Sequence, residues 1–228
     1  MELMKITERV WFSACEEERD RPCLGYVKGE KMSLVVDAGH SAAHVKEYYA
    51  ALKKENLPLP DFTVITHWHW DHAFGMHSVH GLTVANRLTN QHLMNFAKKV
   101  NKEGLDSFFS LDPSIRKEYA GGQSVVIVPA DIVFQEDLEF DLGGVSARLL
   151  TSVSPHTDDT TMVLIPEDRI LFVGDCISGE FPTWEKDPVK TRKLISTLNA
   201  LEADICIGGH WPVFRKKELI EALEEDIL

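Results

Sequence analysis

A mixed α and β fold is what the sequence predicts, on two observations. Short runs rich in Val, Ile, Leu and Thr alternate with longer segments of helical spacing, and no linker, low-complexity tract or fixed-period repeat divides them. Strand-like patterns cover residues 5–12, 33–36, 62–66, 83–85, 146–153, 161–165, 169–173 and 204–207. Helical spacing with good helix formers covers 41–56, 89–102, 113–119, 188–201 and 215 to the end. A single domain over 1–228 is expected. Residues 88–124 differ from the rest, being mostly helical, and read as an insertion or cap with Phe108 and Phe109 in a loop between its helices.

Composition narrows the class. The 228 residues are 44% hydrophobic and 26% charged, an ordinary balance for a chain with a sizeable core. The formal net charge of −12 disfavours any partner held by non-specific phosphate attraction, so neither nucleic acid nor an acidic membrane is expected as a partner. The opening MELMKITERVWF has no apolar core of signal-peptide length, and the most apolar stretch, 124–134, is broken by Pro129 and Asp131. A soluble, cytoplasmic protein is the expectation, and its oligomeric state is left open. Four cysteines without a C-x-x-C pair read as free thiols.

The ten histidines carry the functional signal. Residues 66–72 read T-H-W-H-W-D-H directly after the strand-like FTVIT. Side chains at i and i+2 of an extended segment point the same way, so His67 and His69 can grip one ion together. Asp71 and His72 follow where the chain turns towards a helix, which aims them at a second point. Three more donors stand in matching contexts: His156 after LLTSV, Asp175 after ILFVG and His210 after ICIGG. Sites gather beyond the carboxyl ends of strands because rigid strands fix where each loop begins. Gly174, Gly208 and Gly209 allow close backbone approach there. Each donor alone reads as an ordinary turn or surface group; the repeated context argues for a metal site.

The H-x-H-x-D-H at His67, His69, Asp71 and His72, followed by S-P-H-T around His156, V-G-D around Asp175 and G-G-H at His210, resembles the metallo-β-lactamase superfamily in order and spacing along nearly the whole chain. The resemblance implies an αββα sandwich of two mixed β-sheets flanked by helices, with a two-metal site at one edge. It also implies His67, His69 and His156 at the first metal, Asp71, His72 and His210 at the second, and Asp175 bridging both. V-V-D-A-G at 35–39 looks like the family's early strand, whose Asp37 would support the site without binding metal. The chain departs from the family with Pro155 before the third histidine and Asp158-Asp159 after it. One of these aspartates orients a ligating imidazole, or both cap the next strand in solvent; the sequence leaves both readings open.

Five imidazoles and two carboxylates without a thiolate suit two divalent ions, zinc best, with iron, manganese or nickel chemically compatible. Such a pair supplies a bridging hydroxide near neutral pH and stabilises developing negative charge, which is hydrolytic chemistry. Asp71 doubles as ligand and as the catalytic carboxylate that orients or relays the proton. The di-iron redox relatives typically replace a histidine of the first motif by a carboxylate, and this chain keeps both. A non-catalytic metal-binding module is a third reading. Within hydrolases, class B β-lactamases generally hold a drug carboxylate with a basic residue near the second metal, whereas Cys176, Ile177 and Ser178 follow Asp175. Glyoxalase II carries a helical domain after the core, and 18 residues follow His210 here. The expected substrate is a small molecule: an ester, lactone or thioester first, a small phosphodiester second.

Trp68 and Trp70 alternate with the ligands and are expected to pack away from the metals. Phe181, Trp184 and Trp211, in loops after Asp175 and His210, are candidates for the substrate wall, as are Phe108 and Phe109. Lys186, Lys190, Arg192 and Lys193 form a basic patch read as a solvated helix face. Cys176 reads as a small packed residue, and His40, His44, His77, His80 and His92 receive no metal role.

Overall fold

The computed structural model describes residues 1–211 and 213–226. Alternation along the strands divides their side chains between a shared interior and two outer faces. One sheet holds, in order, β1 (Leu3–Lys5), β2 (Val10–Ser13), β3 (Gly25–Lys28), β4 (Ser33–Val36), β5 (Phe62–Val64), β6 (Leu82–Asn86) and β7 (Ile132–Phe134). Its first four strands pair antiparallel and β4 to β7 pair parallel. The other sheet runs from β8 (Leu138–Asp141) through β9 (Ser146–Thr151), β10 (Thr161–Ile165), β11 (Ile170–Gly174) and β12 (Ile205–Gly208) to β13 (Phe214–Arg215). Only β11 and β12 pair parallel in it. Both sheets are therefore mixed.

Val10, Phe12, Leu34, Val36, Val64 and Val84 of the first sheet meet Leu149, Val163, Ile165, Ile170, Phe172 and Ile207 of the second in one buried core. The outward residues pack under helices. Trp11, Tyr26 and Val35 meet Tyr48 and Leu52 of α1 (Ala42–Lys54). Met162, Leu164, Leu171 and Cys206 meet Leu194 and Leu198 of α6 (Pro188–Ala200), together with Leu219 and Leu223 of α7 (Lys216–Glu225). The result is the expected αββα sandwich. Apolar burial at roughly 25 cal/mol per Å² makes these interfaces the dominant stabilising term.

Several expectations need correction. The strand expected over 5–12 is a hairpin, because the chain turns at Ile6–Arg9 and Thr7 Oγ1 accepts from the Val10 amide at 3.1 Å. β3, β7, β8 and β13 were not predicted. β3 opens on Gly25, a poor strand former, yet a Cβ there would lie 2.3 Å from the Phe172 ring, so facing-sheet packing demands glycine where propensity argues against a strand.

Residues 88–124 are helical as expected, holding most of α3 (Arg87–Glu103) with α4 (Leu105–Phe109) and α5 (Pro113–Glu118). They cover the rest of the first sheet's outer face together with the short α2 (Trp70–Ala73). Phe108 and Phe109 do not sit in a loop: both lie on α4, and Phe108 is buried against Trp70, Phe74 and Phe96. Glu118, at the end of α5, receives a two-pronged pair from buried Arg21, Nε to Oε2 at 2.6 Å and Nη2 to Oε1 at 3.0 Å. Tyr119 donates to the His40 carbonyl at 2.8 Å. The helical segment is thereby locked to the loop before β3.

Phe108→Ala should consequently cost stability of about 3–5 kcal/mol, as for a large core truncation. Urea unfolding would measure it as a fall in midpoint, and an exposed loop phenylalanine would leave the midpoint unchanged.

Candidate metal centre

The donors predicted from the sequence follow strand ends along one edge of the sandwich, Asp71 and His72 lying on α2 shortly after β5. β9 is antiparallel to β10, which is antiparallel to β11, so β9, β11 and β12 point the same way, and His156, Asp175 and His210 follow their carboxyl ends. The end of β5 meets them from the other sheet: the Thr161 amide donates to the Thr66 carbonyl at 2.7 Å. Gly174 (φ +52) packs so close to Thr66 that a Cβ would come within 2.8 Å of its Oγ1.

Asp37 organises the HxHxDH segment. Its Oδ1 accepts from the Thr66 amide at 2.8 Å and its Oδ2 accepts from His72 Nδ1 at 2.8 Å. The second bond sets the His72 tautomer and leaves Nε2 pointing into the cluster. Likewise His156 Nδ1 donates to the Gly179 carbonyl at 2.8 Å and turns its Nε2 inward.

Three overlapping groups of donors each converge closely enough to hold an ion: His67, His69 and His156; Asp71, His72 and His210; and His67, His72 and Asp175. His156 Nε2 stands 3.3 Å from His67 Nε2 and 3.0 Å from His69 Nδ1. Nitrogens about 3.3 Å apart are what bonds of about 2.0–2.1 Å to a tetrahedral ion require. In the second group Asp71 Oδ2 lies 2.9 Å from His210 Nε2 and 3.1 Å from His72 Nε2. Asp175 stands between the groups, Oδ1 3.4 Å from His72 Nε2, Oδ2 3.6 Å from His210 Nε2 and 3.9 Å from His156 Nε2. Among the described residues His72 Nε2 and Asp175 Oδ1 are buried with no hydrogen-bond partner, an arrangement that costs free energy unless a cation satisfies it. Gly209 is needed at this point, since a Cβ would lie 2.2 Å from Asp175 Oδ1 and 2.7 Å from the His72 ring. The donors present fit a metal.

Protonation differs between the two groups. Burial, reinforced by the neighbouring imidazoles, holds His67 well below the usual histidine range and His69 down at about 3. Burial acts the same way on His72 and His210, but carboxylates outweigh it: Asp71, Asp175 and Asp37 raise His72 well above the usual range, and Asp175 with Asp71 raises His210 to about 9. Burial would push the two carboxyls up, yet His72 and His210 keep Asp71 far below its usual value and Asp175 at about 2.

Four of the donors, His69, Asp71, Asp175 and His210, floor a cavity of about 200 Å³ whose other lining residues are Asp20, Trp70, Asp112, Ser178, Phe181, Trp184 and Trp211. Phe181, Trp184 and Trp211 lie at this cavity. Phe108 and Phe109 are not among its walls and are corrected to packing residues. Trp68 packs away on Phe96 and His92, whereas Trp70, also expected to face away, is buried core and cavity wall at once, its Nε1 donating to Asp20 Oδ2 at 3.3 Å. Sequence reasoning missed Asp20, Asp112 and Ser178. Asp112 had a local signal, the Asp-Pro of a helix start, but nothing in the sequence placed that turn over the metal donors. Neither Asp158 nor Asp159 touches a ligating imidazole: exposed Asp158 pairs with His92 Nε2 at 2.7 Å, and buried Asp159 accepts from the Trp68 amide at 2.9 Å, bracing the backbone between His67 and His69. Cys176 is buried core, and Lys186 and Lys190 face Asp226 and Glu180 instead of the cavity. Among the described residues no helix is long and apolar enough to cross a membrane.

Residues 24–210 match the model of the metallo-β-lactamase superfamily. The chain belongs to this superfamily. It is 27% identical over 198 residues, 85% of its length, to the beta-lactamase-like protein 2 homolog of Caenorhabditis elegans, and covers 56% of that protein. It is 20% identical over 185 residues, 81% of its length, to the atrochrysone carboxyl ACP thioesterase of Aspergillus fumigatus, and covers 49% of it. The chain therefore spans about half the length of the curated relatives it matches. Among solved structures it resembles a metallo-beta-lactamase from Pontibacter korlensis, with TM-score 0.70, 20% identity and coverage of 99% of this chain and 98% of that one. It also resembles the sec-alkylsulfatase Pisa1 from Pseudomonas sp., with TM-score 0.73, 13% identity and coverage of 99% and 41%. These likenesses establish the shared fold.

The protonation pattern has a measurable consequence. An ion entering the Asp71, His72 and His210 group must expel protons, and His210 holds its proton up to about pH 9. Apparent affinity there should climb as pH rises from about 6 towards 9, while His67 and His69, already neutral, make the other group much less pH-dependent over that window. Calorimetric titration of metal-free protein with zinc in buffers of different ionisation enthalpy counts the protons released. Equal proton release and equal pH dependence for both binding events would contradict the pattern.

Proposed function

We propose that the chain is a binuclear metal-dependent hydrolase of a small ester, lactone or thioester. The observation that carries the reading is the pair of donor groups, joined through Asp175, on the floor of a cavity with aromatic walls. His67, His69 and His156 would hold one ion and Asp71, His72 and His210 the other, with zinc the best match to imidazole and carboxylate donors. When bound, such ions supply Lewis acidity and a nucleophile at neutral pH.

The protein's own residues do the rest. Asp37 and the Gly179 carbonyl lock two imidazoles in the tautomer that turns Nε2 inward, so the donors need no rearrangement on loading. Asp71, whose Oδ2 lies 2.9 Å from His210 Nε2 in the second donor group, would stand beside the attacking water, where a carboxylate can orient it and carry its proton to the leaving group. Trp70, Phe181, Trp184 and Trp211 exclude water around the scissile bond. The thioesterase among the relatives supports a thioester within this class. Phosphodiester hydrolysis is the weaker reading, because no lysine or arginine among the described residues lines the cavity to receive a phosphate.

Turnover of zinc-loaded protein on panels of lactones, thioesters, carboxylesters and phosphodiesters tests the reading. Hydrolysis within the first three classes is expected, and silence on all four would leave a metal-binding module. Elemental analysis should approach two ions per chain; one ion or fewer after zinc reconstitution, with no change in activity, would contradict a binuclear site. Asp71→Asn keeps size and one coordinating oxygen but loses charge and proton acceptor. It should lower kcat about a hundredfold or more while the His67, His69 and His156 group stays loaded. Activity within a few-fold of the parent at full loading would remove Asp71 from the chemistry.

A further inference from the structure

The cavity walls carry a charge pattern that the metal donors do not account for. Four aspartates line it, and only Asp71 and Asp175 belong to the donor groups. Asp20 and Asp112 are left over, and no lysine or arginine among the described residues lines the cavity with them. Asp112 is held in place by local bonds, its Oδ1 accepting from the Ser114 amide at 2.8 Å as the cap of α5. Away from the metal donors, a substrate's charged group would meet carboxylate and aromatic walls with no lysine or arginine among the described residues.

The aromatic walls point the same way independently. Trp184 is 54% exposed, an unusual position for a tryptophan, and its backbone sits at φ +58, a region that bulky residues rarely adopt. Its loop is folded for this placement: the Trp184 amide donates to the Glu180 carbonyl at 2.8 Å, and Gly179 lies so close that a Cβ would come 2.0 Å from the Trp184 carbonyl oxygen. Strain of this kind persists where surroundings over-determine it, and it clusters at ligand sites. The ring lies nearly parallel to His156 and at 78° to Phe181, 5.7 Å away, with Trp211 on the same cavity. Aromatic faces beside carboxylates are the chemistry that receives an alkylammonium group.

We propose that this cavity selects substrates bearing an alkylammonium group, received by Phe181, Trp184 and Trp211 with Asp112 supplying the negative charge. This deepens the hydrolase reading and rests on it for the identity of the scissile bond. The source of specificity is then Asp112 from the helical segment and Trp184 from the loop after β11, not Phe108 and Phe109.

Two measurements on zinc-loaded protein test it. The first compares kcat/KM for acetylthiocholine with that for its neutral isostere, the 3,3-dimethylbutyl thioester. A preference of about tenfold for the cation is expected. Asp112→Asn, which retains a good helix cap, and Trp184→Leu should each reduce that ratio several-fold, while Asp106→Asn on the exposed face of α4 should not. A ratio near or below one, or a ratio that neither variant moves, overturns the proposal. The second follows binding of choline and of 3,3-dimethylbutanol calorimetrically, with no turnover required. Choline binding that is tighter than the alcohol's and weakened by Asp112→Asn upholds the pocket even if every ester is inert, in which case the hydrolase reading fails alone. Choline bound no better than the alcohol sinks the pocket whatever the turnover.

Discussion

His67, His69 and His156 turn ring nitrogens towards one another at 3.0 and 3.3 Å in a buried site, and much of the fold works to hold that convergence. Charged imidazoles at this distance would repel across a low dielectric, and neutral ones can place at most one proton between each pair of facing nitrogens. Such an arrangement survives only when the rings cannot turn away. Two of them are fixed from outside the cluster, His156 by the Gly179 carbonyl and His67 by Thr66, and Asp37 fixes His72 beside them. Those supports stand on strand ends, and the strands are rigid because the inter-sheet core packs both sheets as one body.

The same constraint explains the distribution of charge. Carboxylates raise His72 and His210 of the second group above the usual histidine range, whereas burial among imidazoles holds His67 and His69 of the first below it. Asp175 couples the two, lying within 4 Å of nitrogens from both. A cation entering the second group would replace protons that the first does not hold on His67 and His69, so the two donor groups differ in character. Burial of an ionic group is costly, and the network of hydrogen bonds around Asp37 is what makes it tolerable here.

Around this centre, the walls come from two segments with different supports. The helical segment 88–124 is tied down by Phe108 in its own core and by the buried Arg21–Glu118 pair, which also fixes the loop that carries Asp20. The loop after β11 presents Phe181 and Trp184 from the opposite side. Rigid floor and separately anchored walls let specificity change without disturbing the metal donors, which is how one fold serves many substrates.

The donors were legible in the sequence because each depends on local features: alternation in an extended segment puts His67 and His69 on one side, and a strand followed by Gly-Asp or Gly-Gly-His marks a strand end. The layered fold was legible for the same reason, through period-two and helical patterns in β4, β10 and α6. What escaped was whatever depends on a neighbour distant in the chain. Gly25 is a strand residue only because Phe172 faces it; Phe108 is core only because Trp70 and Phe74 lie beneath it; Asp112 and Asp20 reach one cavity only because the Arg21–Glu118 pair brings residues 97 positions apart together. The chemistry of the floor can be read along the chain, since ligand type and strand-end spacing are written locally. Its surroundings cannot, because cavity walls are assembled from loops whose positions follow from packing between segments and from no pattern within any one of them.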